Sequence, residues 1–406
     1  VKNNLMLKNI CLNSSNDNFV GISFEENEKR IIFPLGYEIP DDSNECRLSI
    51  LNLLRLISMS KNNLFGNKYG SKEGNEKELP VNSFLWIIND YLTNGVYFDI
   101  EKKCVQKQNG KINWKKTLNS KFYVSKNNVI YLNPFVEKKA TEKNYITDIH
   151  LFCINKSIIE IGWLFGNIEC PKSNINISNL TYYKEILNKE LMKTFDDRKK
   201  QLIIHMKRII DNTTDGSQTF NEKKYGTNQF EYIWEYIVND VFGNEDVNKY
   251  FPSSSWNILK WNKIEDSKLR PDTVLVVDSK LYILDSKYYK FGISSNPSDL
   301  PHTDSIQKQI TYGEYAHNNK DFEQIFNAFI IPYNRINNKF GINNNIEYMG
   351  FAESNWKNNK NNIYEHVSLI LVDTKYIIDS YFKRTNGNVQ LLIESISKVI
   401  STFKDT

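Results

Sequence analysis

The sequence predicts an α/β chain, with a mixed α+β N-terminal domain ahead of an α/β core in the C-terminal half. Three observations carry this. Two short β-rich runs, Thr273 to Val277 and Leu281 to Leu284, are joined by the polar tripeptide Asp278-Ser279-Lys280 and read as an antiparallel hairpin. An amphipathic helix, Asn228 to Val241, precedes the hairpin, with Phe230, Ile233, Trp234, Ile237, Val238 and Val241 on one face. A polar helix, Thr303 to His317, follows it with Thr303 or Asp304 as N-cap. Apolar runs after that helix supply further strands, and the order of elements suits an α/β sandwich.

At 406 residues and 47.7 kDa the chain has room for two domains, and its 40% hydrophobic and 13% aromatic content is ample for packed cores. A net charge of only +4 confines any nucleic-acid surface to a local patch. The five cysteines are scattered and never spaced Cys-x-x-Cys, which suggests a reducing compartment and no zinc site. Without a signal peptide or an apolar run near 18 residues, a cytoplasmic protein with no membrane partner is expected.

From the N-terminus, Phe19 to Phe24 and Arg30 to Phe33 read as strands around a turn at Glu25–Lys29, followed by the turn Phe33-Pro34-Leu35-Gly36-Tyr37. Cys46 to Met59 and Val81 to Thr93 read as helices, the second ended by Asn94-Gly95. The Asn-, Gly- and Lys-rich residues 60–80 between them read as an exposed loop. Gly110-Lys111-Ile112-Asn113-Trp114-Lys115-Lys116-Thr117 mixes an aromatic with lysines, as a segment touching nucleic-acid backbone does. Its plainer reading is a basic β-turn around one buried Trp. Thr181 to Asp211 is helical and charged, and Asp211 to Lys224 is a polar loop. The expected division is therefore a mixed α+β domain at 1–150, a helical connector at 151–215 and an α/β core domain at 216–406. Beyond the hairpin, Phe326 to Ile331, Tyr348 to Ala352 and Val367 to Val372 read as strands, and Val389 to Phe403 as a closing helix.

The chemistry concentrates at the hairpin. Its first strand starts beside Asp272 and its second ends on Asp285 and Lys287. Side chains alternate along a strand, so Asp285 and Lys287 share one face and Ser286 takes the other. A tight hairpin also brings Asp272 beside Asp285. Two carboxylates suit a hard cation such as Mg²⁺ that keeps several waters and takes its other oxygens from phosphate. A nearby ammonium can orient a water, and the whole is the PD-(D/E)XK arrangement for phosphodiester hydrolysis. An acid-x-Lys triplet also arises by chance, as at Asp266-Ser267-Lys268 and Asp373-Thr374-Lys375. Only Asp285-Ser286-Lys287 follows a Pro-Asp and two strands. Downstream, Gln309 and Tyr312 share a helix face, which suits either a site-flanking helix or an ordinary amphipathic one. Glu231 and Glu235 ride one turn apart on the preceding helix.

These residues together resemble the LlaJI-type restriction endonucleases, relatives of the McrC nuclease subunit of GTP-dependent restriction systems. The resemblance rests on Phe33-Pro34-Leu35-Gly36-Tyr37, Asp90-Tyr91 with Gly95, and Gly110 to Thr117. It continues through Tyr225-Gly226-Thr227, Phe230, Trp234-Glu235, Phe242-Gly243, Arg270-Pro271-Asp272, Asp285-Ser286-Lys287-Tyr288-Tyr289 and Lys308-Gln309-x-x-Tyr312. It implies a PD-(D/E)XK restriction-endonuclease-like core cleaving foreign double-stranded DNA with Mg²⁺, or with Mn²⁺ in its place. Asp272 and Asp285 would be metal ligands, Lys287 the water-activating group, and Glu235 an auxiliary acid at the metal, with Glu231 in reserve. Gln309 would help near the scissile phosphate, and Trp114, Lys115, Lys116, Lys308 and Tyr312 would contact DNA. An McrB-like AAA-type GTPase and a DNA methyltransferase of the same system are the implied protein partners. One departure is visible: McrC-type nucleases show Gln-x-x-x-Tyr, and here the spacing is Gln309-x-x-Tyr312. A stand-alone nuclease of repair or RNA processing, and a silent nucleic-acid-binding module, are the other classes the residues admit. The intact acids speak against the last.

Overall fold

The structure is a computed structural model that describes residues 10–12, 19–25, 28–60, 80–126, 128–142, 144–172, 179–214, 223–250, 252–257, 259, 264–355, 362–383 and 387–404. The loops expected at 60–80 and 211–224 fall largely outside these residues, as does the centre of the Glu25–Lys29 turn. Residues 1–76 with 220–406 form one compact unit, and residues 77–219 form a second. These units divide the chain differently from the roles expected at 1–150, 151–215 and 216–406.

In chain order, the first unit opens with strands β1 (Ile10–Leu12), β2 (Val20–Glu25) and β3 (Glu28–Phe33) and helix α1 (Ser43–Ser60). The second unit holds α2 (Val81–Asn94), β4 (Asp99–Gln106), α3 (Trp114–Leu118), β5 (Tyr123–Ser125), β6 (Asn128–Ile130), β7 (Phe135–Glu142), α4 (Tyr145–Ile161), α5 (Leu180–Lys193) and α6 (Asp197–Thr214). The first unit resumes with β8 (Lys223–Thr227), α7 (Phe230–Phe242), β9 (Ser253–Trp256), β10 (Ile264–Lys268), β11 (Thr273–Val277) and β12 (Lys280–Ser286). It closes with α8 (Phe291–Ser294), α9 (Thr303–Asn319), β13 (Gln324–Tyr333), β14 (Ile346–Ala352), β15 (Val367–Asp373), α10 (Thr374–Lys383) and α11 (Gly387–Lys404).

The first unit is built on a five-stranded sheet in the order β11-β12-β13-β15-β14. The strands β12, β13 and β15 run parallel, flanked by antiparallel β11 and β14. Central strands covered on both faces read as continuous apolar runs, and Leu281-Tyr282-Ile283-Leu284 in β12 is buried throughout. One face of the sheet meets α9: Val274, Leu281, Ile283 and Ile325 pack with Tyr312 and Ala316. On the other face Tyr282 stacks on Phe326 at 5.0 Å between ring centroids. The hairpin turn is tighter than expected. Val277 pairs with Lys280, leaving only Asp278 and Ser279 at the corner, both with positive φ, as a type I′ turn demands.

A second sheet, β1-β3-β2-β8, ties the N-terminal strands to the stretch after residue 220. Here Tyr225-Gly226-Thr227 has a physical reason: a Cβ on Gly226 would lie 2.2 Å from the Val20 carbonyl oxygen, so only glycine fits the close approach of β2 and β8.

The second unit packs α2, α4 and α6 around Phe84, Ile87, Ile88, Ile149, Ile154, Leu202 and Met206. Asp90, nearly buried, receives a bidentate pair from Arg198, with Nε to Oδ1 at 2.8 Å and Nη2 to Oδ2 at 3.0 Å. That pair gives Asp90 of the Asp90-Tyr91 motif a structural role. A two-stranded ribbon, β4 with β7, carries α3 and the small hairpin β5-β6. Among the described residues no helix is long and apolar enough to cross a membrane.

Candidate nuclease site

The hairpin register decides the geometry. Thr273 pairs with Leu284, so the next residues out along the two strands are Asp272 and Asp285. Asp285 follows Leu281 and Ile283 on the face that meets α9. Its carboxylate is 2% exposed, and its Oδ2 lies 2.6 Å from the Lys287 ammonium. A second ammonium, Lys308 on α9, stands 3.8 Å from Oδ1. Among the described residues neither Asp285 oxygen receives a well-aligned hydrogen bond. Asp272 is better satisfied, since its Oδ2 accepts the Ser286 backbone N–H at 2.8 Å.

Electrostatics follow from burial. Asp272 is held well above the ordinary carboxylate range, first by desolvation and then by the neighbouring charges of Asp285 and Glu235. Glu235 on α7 is pushed up to about 7 by burial and then by Asp285, with Lys287 opposing. Burial works against the Lys287 ammonium, but the Asp285 charge and its contact outweigh that and raise it. Two carboxylates and a glutamate crowded beside two lysines form a site short of positive charge, which is the condition a divalent cation relieves. The donor set fits one: among the described residues Asp285 offers two oxygens whose partners are the Lys287 and Lys308 ammoniums, and Asp272 offers Oδ1. Among the described residues no three His, Cys, Asp or Glu side chains converge closely enough to hold a metal ion, and Glu235 is near enough to Asp272 and Asp285 for their charges to act on one another.

Gln309 and Tyr312 do share a face, but it is the inner one: both are fully buried. Gln309 Nε2 donates to the Ile283 carbonyl at 2.7 Å and stands 3.4 Å from Asn327 Oδ1, which ties α9 to β12 and β13. Neither side chain has exposed surface in this structure. Among the described residues the Tyr312 hydroxyl finds no hydrogen-bond partner, and burial followed by the charges of Asp285 and Asp272 raises its pKa. Lys308 does lie at the surface beside the site, 36% exposed and 5.7 Å from the Tyr312 ring centroid. The α9 N-cap is His302 rather than Thr303 or Asp304.

In the second unit, Asn113 caps the short α3 by accepting the Lys116 N–H at 3.1 Å. Trp114 opens that helix and is 59% exposed, so the β-turn with a buried Trp does not form. Leu118, Phe122, Tyr123, Val124, Val129, Ile130 and Leu132, in the stretch of chain that follows it, are exposed as well. Between Glu101 and Glu137 the chain carries eight lysines and no acid, a local concentration hidden by the overall charge of +4.

Residues 19–375 match the model of the LlaJI restriction endonuclease family. The "Type II restriction enzyme BsuMI component YdjA" of Bacillus subtilis (strain 168) is 28% identical over 315 residues, which is 73% of this chain and 64% of the relative. The chain thus spans under two thirds of that relative's length. Among solved structures, the refined half-complex of Thermococcus gammatolerans McrB AAA+ hexamers with bound McrC is similar at 13% identity. The likeness covers 92% of this chain and 83% of the other, at a TM-score of 0.39, below the level at which a shared fold follows.

Proposed function

The chain belongs to the LlaJI restriction endonuclease family, and from that premise we propose that it is the nuclease subunit of a restriction system that hydrolyses phosphodiester bonds of foreign double-stranded DNA. The observation that carries the reading is the meeting of Asp272, Asp285 and Lys287 at the open end of one hairpin, the PD-(D/E)XK arrangement. Asp272 and Asp285 would hold Mg²⁺, or Mn²⁺ in its place. Bound there, the cation would supply positive charge against the charge developing on the phosphate oxygens. Lys287 directs its ammonium at the carboxylate pair and orients the attacking water beside it. Glu235, raised to about 7, is poised to take up a proton near neutral pH. Lys308, at the rim, neutralises a DNA phosphate entering the site.

Selection of the target falls to a partner in this proposal. The chain carries no Gly-x-x-x-x-Gly-Lys-Ser/Thr loop, and its resemblance to McrC-type subunits points to an McrB-like AAA-type GTPase, with a DNA methyltransferase protecting the host in the same cytoplasm. The Bacillus subtilis relative is named as one component of its enzyme, which favours a multi-chain assembly here as well. The exposed apolar surface around Trp114 and Phe122, edged by lysines, is the docking face this reading assigns, with Lys115 and Lys116 touching either the partner or DNA. The test is cleavage of an unmodified duplex by the purified chain, with and without its neighbouring GTPase and GTP. Mg²⁺- and GTP-dependent cuts are expected. Full-rate cleavage by the chain alone in EDTA would overturn both halves of the proposal.

A further inference from the structure

Lys287 lies one residue past the end of β12, and the ladder to β11 stops earlier still, at Thr273 and Leu284. Its backbone therefore needs other anchors if the ammonium is to stay on Asp285. The first is the Ile330 carbonyl of β13, which accepts the Lys287 N–H at 2.9 Å and also the indole N–H of buried Trp234 at 3.2 Å. The second comes from far upstream. The hydroxyl of Tyr288, the next residue along, accepts the Leu35 backbone N–H at 2.7 Å across 253 residues of chain. The Tyr288 ring is meanwhile held against Phe230 and Trp234, with centroids 5.3 Å and 6.3 Å away.

The turn that donates this hydrogen bond is itself fixed. The Leu35 carbonyl accepts the Thr374 hydroxyl at 2.7 Å. Gly36 has φ +73, and a Cβ there would lie 2.7 Å from the Tyr333 backbone, so the turn sits directly on the sheet and admits no side chain.

We propose that Tyr288 is a positioning residue, clamped by the Phe33–Tyr37 turn so that the Lys287 backbone, and through it the ammonium on Asp285, is fixed at the end of β12. This rests on the nuclease reading of Lys287 and gives the Phe-Pro-Leu-Gly-Tyr segment a role at a site it does not touch. Groups that must hold a reactive geometry are supported by neighbours whose own positions are locked.

Tyr288→Phe removes only the oxygen that the Leu35 N–H reaches. Hydrogen exchange of the full chain should then show the Lys287 and Tyr289 amides exchanging about tenfold faster, with residues 281–284 unchanged and Tm within about 3 °C of wild type. In Mg²⁺-dependent duplex cleavage with the GTPase present, kcat should fall about tenfold with KM for DNA unchanged. Leu35→Ala keeps the N–H, so it should lower Tm and leave kcat near wild type. Wild-type exchange at 287 and 289 in Tyr288→Phe, or a loss of kcat matched by Leu35→Ala, would overturn the clamp. Lys287→Ala, run alongside, separates the two ideas: if it cleaves normally the nuclease reading fails, while the exchange data still judge the clamp.

Discussion

The Lys287 ammonium lies 2.6 Å from Asp285 Oδ2, two residues back and on the same side of the chain. A buried carboxylate whose partners among the described residues are this ammonium and the more distant Lys308 is costly unless something further binds it. That cost motivates the first expectation. Isothermal titration at neutral pH should show Mn²⁺ or Mg²⁺ binding the chain, and Asp285→Asn should weaken it by at least tenfold. Ca²⁺ should compete without supporting cleavage, being larger and laxer in geometry. Equal affinity in wild type and Asp285→Asn would remove the metal from this site.

Gln309 serves as a probe of structure against catalysis. Its amide donates to the Ile283 carbonyl inside the core, and Gln309→Leu leaves that carbonyl without its donor. Urea denaturation should show a loss of about 1–3 kcal/mol. A variant of unchanged stability but crippled cleavage would return Gln309 to the scissile phosphate.

What could be read from the sequence, and what could not, follows from the range of the interactions. The hairpin was legible because two apolar runs and two turn residues are contiguous, and its register then dictates that Asp272 meets Asp285. Helix α7 was legible from the spacing of Phe230, Ile233, Trp234, Ile237 and Val238, all buried. Gln309 and Tyr312 lie on the inner face of α9, where a backbone carbonyl recruits a buried amide, and no local pattern in a polar helix says which of its polar residues turn inward. For Trp114, which is 59% exposed, the sequence leaves a backbone-touching aromatic and a buried turn Trp both open, for nothing local says that an aromatic will be left exposed. The Leu35–Tyr288 bond and the pairing of β2 with β8 join distant segments, and no local pattern encodes such pairings.

The second unit should be acid-sensitive. His150 is fully buried with Nδ1 accepting the Tyr97 N–H at 3.0 Å, and burial lowers its pKa to about 4. His205, beside Ser83 and stacked on Trp86, is lowered to about 4 by burial as well. The unfolded chain takes up these protons near pH 6.5, and the folded one only near pH 4. Their contribution is therefore complete above pH 6.5 and is lost as pH falls toward 4, by roughly 3 kcal/mol per histidine at most. Denaturant titrations of wild type and His150→Asn at pH 7 and pH 5 check this. An equal pH slope in the two proteins would contradict it.

The exposed face around α3 should matter to the assembly and not to the fold. Trp114→Ser with Phe122→Ser removes two side chains that are 59% and 54% exposed, so Tm should change by less than about 3 °C. Partner-stimulated cleavage should drop at least tenfold, as loss of central aromatic contacts does at protein interfaces. Undiminished stimulation would place the docking face elsewhere.

The most direct measurement is single-turnover cleavage of an unmodified duplex by wild type, Asp285→Ala, Lys287→Ala and the turn control Asp278→Asn, each with Mg²⁺, the neighbouring GTPase and GTP. Loss of a metal ligand or of the water-orienting ammonium removes several kcal/mol of transition-state stabilisation, hence about a thousandfold or more in rate. Asp285→Ala and Lys287→Ala should therefore be inactive while folded, and Asp278→Asn should cleave as wild type does. Cleavage by folded Lys287→Ala at a rate near wild type would contradict the account.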